Sequence, residues 1–101
     1  MITNKVIFSS FKPSSEFDIL KREANLLLFE NKEFFDEIFE ICIESSKLND
    51  SKFTNKGKFK SSDMFFNIEG ISFCLHEITY DIDGDLNEIT RIFNFIINYE
   101  N

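Results

Sequence analysis

The apolar positions along this chain change period several times, and each change marks an element. Residues 2–11 (ITNKVIFSSF) are rich in β-branched and aromatic side chains and predict a short opening strand. Pro13 punctuates the run. Ser14 and Ser15 then offer an N-cap, and Asp18 stands where a near capping box needs it. Phe17, Leu20, Ala24, Leu27 and Leu28 recur at helical spacing, which predicts a first helix over 16–29. Glu23 falls inside that apolar face, and the run Leu26-Leu27-Leu28-Phe29 also fits a buried strand.

A second helix is expected next. Asn31 suits its N-cap, and Glu33 sits in the first turn, where a carboxylate complements the helix dipole. Phe34, Phe35, Ile38, Phe39, Ile41, Cys42 and Ile43 cover more than half of its circumference, so this helix is expected to pack against several neighbours. Residues 45–62 (SSKLNDSKFTNKGKFKSS) then lose the apolar period and predict a long, flexible, lysine-rich loop.

Two β-like runs, 63–69 and 71–80, flank Gly70. Ile71, Phe73 and Leu75 alternate with Ser72, Cys74 and His76, and Glu69-Gly70 reads as the turn of a hairpin. Asp81 to Asp85 reads as a further turn. Asp85 and Glu88 have capping-box spacing, and Leu86, Ile89, Ile92, Phe93, Ile96 and Ile97 predict a final helix over 86–99. The expected fold is α+β: a single small domain over 1–101, with helices packed on one face of a short antiparallel sheet, in the order (β)-α-α-β-β-α.

Composition changes little in that picture but adds a bias. The 101 residues include 14 Phe and 14 Ile, yet only Val6 and Ala24 of their kinds and no Trp. Abundant Asn, Lys and Ser alongside scarce Gly, Pro and Arg point to an AT-rich coding sequence. Cys42 and Cys74 sit in apolar runs and read as small buried hydrophobes of a reduced cytoplasm. No secretory signal and no apolar run of membrane-spanning length is visible, so a cytoplasmic location is expected.

Charge changes the picture more. The net charge is −7. Segment 1–46 carries a net of −4, segment 47–60 a net of +4 and segment 61–101 a net of −7. Such a balance opposes binding to nucleic acid or an anionic membrane and favours a basic protein partner. Within the second helix, Glu33, Glu37, Glu40 and Glu44 are spaced 4-3-4 and share a stripe of about 60°. No Lys or Arg lies one turn away from them, except Lys32 and Lys47 at the ends. Glu30 and Asp36 flank the stripe. It reads either as a solvated face or as an electrostatic docking surface. A second cluster comprises Glu77, Asp81, Asp83, Asp85 and Glu88, with Tyr80 available as an aromatic anchor.

The candidate chemistry is thin. Asp81-x-Asp83-x-Asp85 opens like a calcium loop, but Leu86 stands where that loop requires Gly and Ile92 where it requires Glu. His76 is the only histidine, and nothing in the sequence activates it or Cys74. No zinc, P-loop, dinucleotide-binding or nucleophile-elbow motif is present. The chain is expected to have no catalytic residue, cofactor, metal or small-molecule substrate. In size, acidity and composition it resembles the small immunity proteins of bacterial toxin systems, those of contact-dependent growth inhibition among them. That likeness of profile implies an inhibitor that lays carboxylates over the active site of a basic, nuclease-type toxin. A DNA-mimicking phage anti-defence inhibitor belongs to the same physical class. A small adaptor subunit of a larger assembly is the alternative.

Overall fold

The computed structural model describes residues 1–12, 14–49, 58–60, 64–83 and 88–99; for 46–49, 58–60, 82 and 83 it gives the backbone path alone. The fold is α+β. Strand β1 (Ile2–Ser9) leads into helices α1 (Ser15–Glu30) and α2 (Lys32–Asn49). Strands β2 (Lys58–Lys60), β3 (Phe65–Ile68), β4 (Ile71–Asp83) and β5 (Glu88–Tyr99) complete the sheet. Its order is β1-β5-β4-β2, with β3 beside β2 on the same side of β4. β1 runs parallel to β5 and every other pairing is antiparallel, so the sheet is mixed rather than purely antiparallel.

The helix starts follow local chemistry. Ser14 is the N-cap of α1, its Oγ accepting from the Phe17 N–H at 3.1 Å. Asn31 does different work from that expected. Its carbonyl accepts from the Phe35 N–H and opens α2, but its side chain closes α1, donating Nδ2–H to the Leu27 carbonyl at 2.9 Å. One residue thus joins two helices with no loop between them. Glu23 is not buried in the α1 seam. It sits in solvent and accepts from the Tyr99 hydroxyl at 2.7 Å, tying α1 to the end of β5.

The expected hairpin forms around Glu69-Gly70. Ile68 pairs with Ile71, which leaves two turn residues, both at positive φ (51° and 83°) as a type I′ turn requires. The Asn67 side chain accepts from the Gly70 N–H at 3.1 Å and steadies it.

Two expected elements differ. The final helix over 86–99 is instead β5. Ile89, Ile92, Phe93, Ile96 and Ile97 do fall at helical spacing, but β-branched and aromatic residues dominate the segment, and a period of two runs through it as well. Arg91, Phe93, Phe95 and Ile97 are buried on one face, while Ile92, Asn94 and Ile96 are half-buried on the other. Pairing on both sides, with β1 and β4, decides between the two periods. The segment expected as a loop over 45–62 contains regular structure: α2 continues through Asn49, and β2 pairs with β4. Residues 50–57 and 61–63 lie outside the described residues.

The helices cover one face of the sheet, and phenylalanine fills the space between. Phe39 stacks on Phe93 with ring centroids 4.5 Å apart, and Phe66 lies almost parallel to Phe73 at 5.0 Å. Phe35 meets Phe73 edge-on at 5.7 Å. Such pairs add about 0.5–1.5 kcal/mol each beyond their buried area. A β-bulge between Leu75 and Glu77 keeps β4 in phase with this core. It shifts the alternation by one residue, so Leu75, Ile78 and Tyr80 all point at the helices.

Candidate functional site

The α2 carboxylates and the Glu77 and Asp81 of the second cluster end up on opposite sides of the molecule. On α2, Phe35, Phe39, Cys42 and Ile43 face the sheet. The helical period therefore turns Glu33, Glu37, Glu40 and Glu44 outward, and all four are exposed. Glu77 and Asp81 belong to the other face of β4, away from the helices, because their neighbours Ile78 and Tyr80 point inward. One flat contact surface cannot hold both sets.

The second cluster loses Tyr80 from its surface. Tyr80 is only 8% exposed and faces the core, so it is no surface anchor here. Glu77 is half-buried and Asp81 exposed. Asp83 and Glu88 are cross-strand partners at the end of the β4–β5 hairpin, and Asp85 lies outside the described residues. Among the described residues no group of three or more His, Cys, Asp or Glu is placed to hold a metal ion. His76 meets the ring of Phe11 edge-on at 6.3 Å. Cys42 is buried, and desolvation pushes its thiol up from an ordinary 9.0 to about 11, so it is neutral at physiological pH.

The α2 cluster is richer than the sequence suggests, and Glu40 is its exception. Arg91 of β5 is buried and donates from Nη2 to Glu40 Oε1 at 2.8 Å. Its Nε donates to Asn4 Oδ1 on β1 at 2.7 Å, and its guanidinium lies 6.0 Å from the Phe93 ring centre. Glu40 is thus a structural partner as well as a surface carboxylate. Glu33, Asp36 and Glu37 form no ion pair among the described residues.

Beside this acidic flank lies a groove of about 300 Å³, where α1, α2 and β1 converge. Its apolar lining comes from Val6, Leu28, Phe29, Phe35 and Phe39, and Asp36 and Lys32 stand on its α2 side. Phe29 is 84% exposed and adds accessible apolar surface to this lining. Sequence reasoning did not select Asn4, Val6, Leu28, Phe29 or Arg91 as site residues. Arg91 was the discoverable one. Read with a period of two, it shares a face with Phe93, Phe95 and Ile97, and a cation there needs an acidic partner.

No helix among the described residues is long and apolar enough to cross a membrane. Comparison with protein-family models, curated protein sequences and solved structures finds no match to this chain.

Proposed function

We propose that this chain is a cytoplasmic binding protein without chemistry of its own, and that it inhibits a basic protein partner by docking carboxylates onto it. The role that fits best is that of a bacterial immunity protein. It would cover the nucleic-acid-binding active site of a cognate nuclease-type toxin domain, competing for the same cationic groups.

The observation that carries this reading is the flank of α2, where Glu33, Asp36 and Glu37 project into solvent on a rigid helix with no ion-pair partner among the described residues. Like charges at helical spacing cost a few tenths of a kcal/mol per pair. The same arrangement accelerates encounter with a basic surface and makes that encounter salt-sensitive.

The test uses the product of a neighbouring toxin-type gene, purified as its basic domain. Affinity is measured at about 50 mM and about 500 mM salt, where screening differs several-fold in range. Affinity is expected to fall steeply with salt and with the double substitution Glu33→Lys and Glu37→Lys. Binding that ignores both would overturn the electrostatic reading. Glu40 is unsuitable for this purpose, because reversing it also strands Arg91.

A further inference from the structure

β1 is the end strand of the sheet, and among the described strands only β5 pairs with it. The Ile89 N–H donates to the Met1 carbonyl at 3.0 Å, and the parallel register runs from Ile2↔Ile89 to Ser9↔Ile96. A parallel ladder of that phase uses the amides of the odd-numbered β1 residues. The N–H and C=O groups of Asn4, Val6 and Phe8 therefore point out of the sheet at its edge. The side chains of the same three residues face the helices: Asn4 holds Arg91, Val6 packs on the core and Phe8 is buried within it.

The apolar groove lies alongside this edge, since Asn4 and Val6 are part of its lining. A strand hydrogen-bonded to Asn4 and Val6 would send alternate side chains to the helix side, where Leu28, Phe29, Phe35 and Phe39 await them. The α2 wall of the groove carries Asp36 and, one turn before it, Lys32, and the exposed Glu33 and Glu37 continue the carboxylates along the same helix; at the Asn4 end Arg91 pairs with Glu40.

We propose that β1 and this groove form a strand-addition site, which takes an extended segment of a basic protein. The segment carries an aliphatic or aromatic side chain at alternate positions and Lys or Arg next to them. Main-chain pairing supplies affinity, the groove selects the apolar side chain, and Asp36 with the exposed Glu33 and Glu37 of the same helix selects the cation. The choice of a basic occupant rests on the functional reading above; the choice of an added strand rests on the open edge and the groove.

The probe is a fluorescent ten-residue peptide that alternates Ile with Thr and ends in two Lys at each terminus. Its anisotropy is followed against the full chain, with peptides N-methylated at alternate amides and peptides flanked by Glu as comparisons. Saturable binding is expected, together with amide shifts at Asn4, Val6 and Phe8 in nuclear magnetic resonance spectra. Methylation of the edge-facing amides should abolish it. Phe29→Lys and Asp36→Lys, both at exposed positions that leave the core intact, should each weaken it about tenfold.

No saturation at about 1 mM peptide overturns the site. Binding that resists methylation but falls with salt overturns strand addition while leaving the basic-partner reading in place. Equal binding of the Glu-flanked peptide overturns the basic occupant. A β1-to-β1 dimer of the chain that excludes the peptide overturns the proposal in favour of self-pairing.

Discussion

Arg91 and Glu40 meet at 2.8 Å although their environments differ sharply: the Arg91 side chain is 10% exposed and that of Glu40 62%. The asymmetry makes their removal unequal. Glu40→Ala leaves a buried guanidinium with Asn4 alone, and should destabilise by about 1–3 kcal/mol in urea unfolding. Arg91→Met replaces the cation with an apolar chain of similar length and lets Glu40 hydrate, and should cost less. Equal losses in the two variants would show that Arg91 is not held by charge.

The β3–β4 turn offers a stabilising change. Glu69 sits at φ 51°, a conformation that Asn adopts more readily than Glu. Glu69→Asn should raise stability by about 0.5 kcal/mol, seen as a higher thermal midpoint. Gly70→Ala should lower it by about 1 kcal/mol. Nothing lies within 4 Å of an added Cβ at Gly70, so that loss is conformational and not steric.

The two thiols should behave differently. Cys42 is 1% exposed on the inner face of α2, whereas Cys74 is half-buried on the face of β4 turned away from the helices. Titration of the folded chain with a thiol reagent at neutral pH should modify Cys74 first, and Cys42 only at the rate of unfolding. The raised pKa of Cys42 also links to stability. Folded and unfolded chains both hold this proton below 9.0, and above it only the folded chain does, up to about 11. Stability should therefore fall as pH climbs through that window, by on the order of 2 kcal/mol. Cys42→Ser would remove the pH dependence from this source.

Tyr99 provides a spectroscopic reporter of the α1–β5 junction. Its hydroxyl donates to Glu23, and that hydrogen bond, then desolvation and the carboxylate charge, hold its pKa above the ordinary 10.0. The contribution of the bond is present below that pH and is lost as pH rises through the raised value. Glu23→Ala should move the phenolate absorbance transition of Tyr99 back towards lower pH, and an unmoved transition would remove Glu23 as the cause.

Much of the fold was legible because several elements had only one self-consistent period. The alternation at Ile71, Phe73 and Leu75, the Ser14 cap and the Glu69-Gly70 turn all act within a few residues, and all form as the local pattern indicates. Residues 88–99 fit two periods equally, and the arbiter was a long-range pairing with residues 2–9 that local pattern does not contain. The site divides in the same way. The Glu33 to Glu44 stripe follows from helical geometry alone. The groove beside it exists only once α1, α2 and β1 converge, and Glu40 acquires its cation from a residue 51 positions away.

The parallel pairing of β1 with β5 also sets an order of events during synthesis. Among the described elements β1 leaves the ribosome before the others, and its sheet partner β5 leaves after them. Until β5 emerges, β1 has no ladder to join, and Phe8 has no Phe95 to pack against at 6.5 Å. Folding that waits on contacts this distant in sequence is slow compared with a helical bundle of equal length. The nascent chain must therefore carry an unpaired strand and an incomplete phenylalanine core until β5 has been made, the interval in which a chaperone would matter to this domain most.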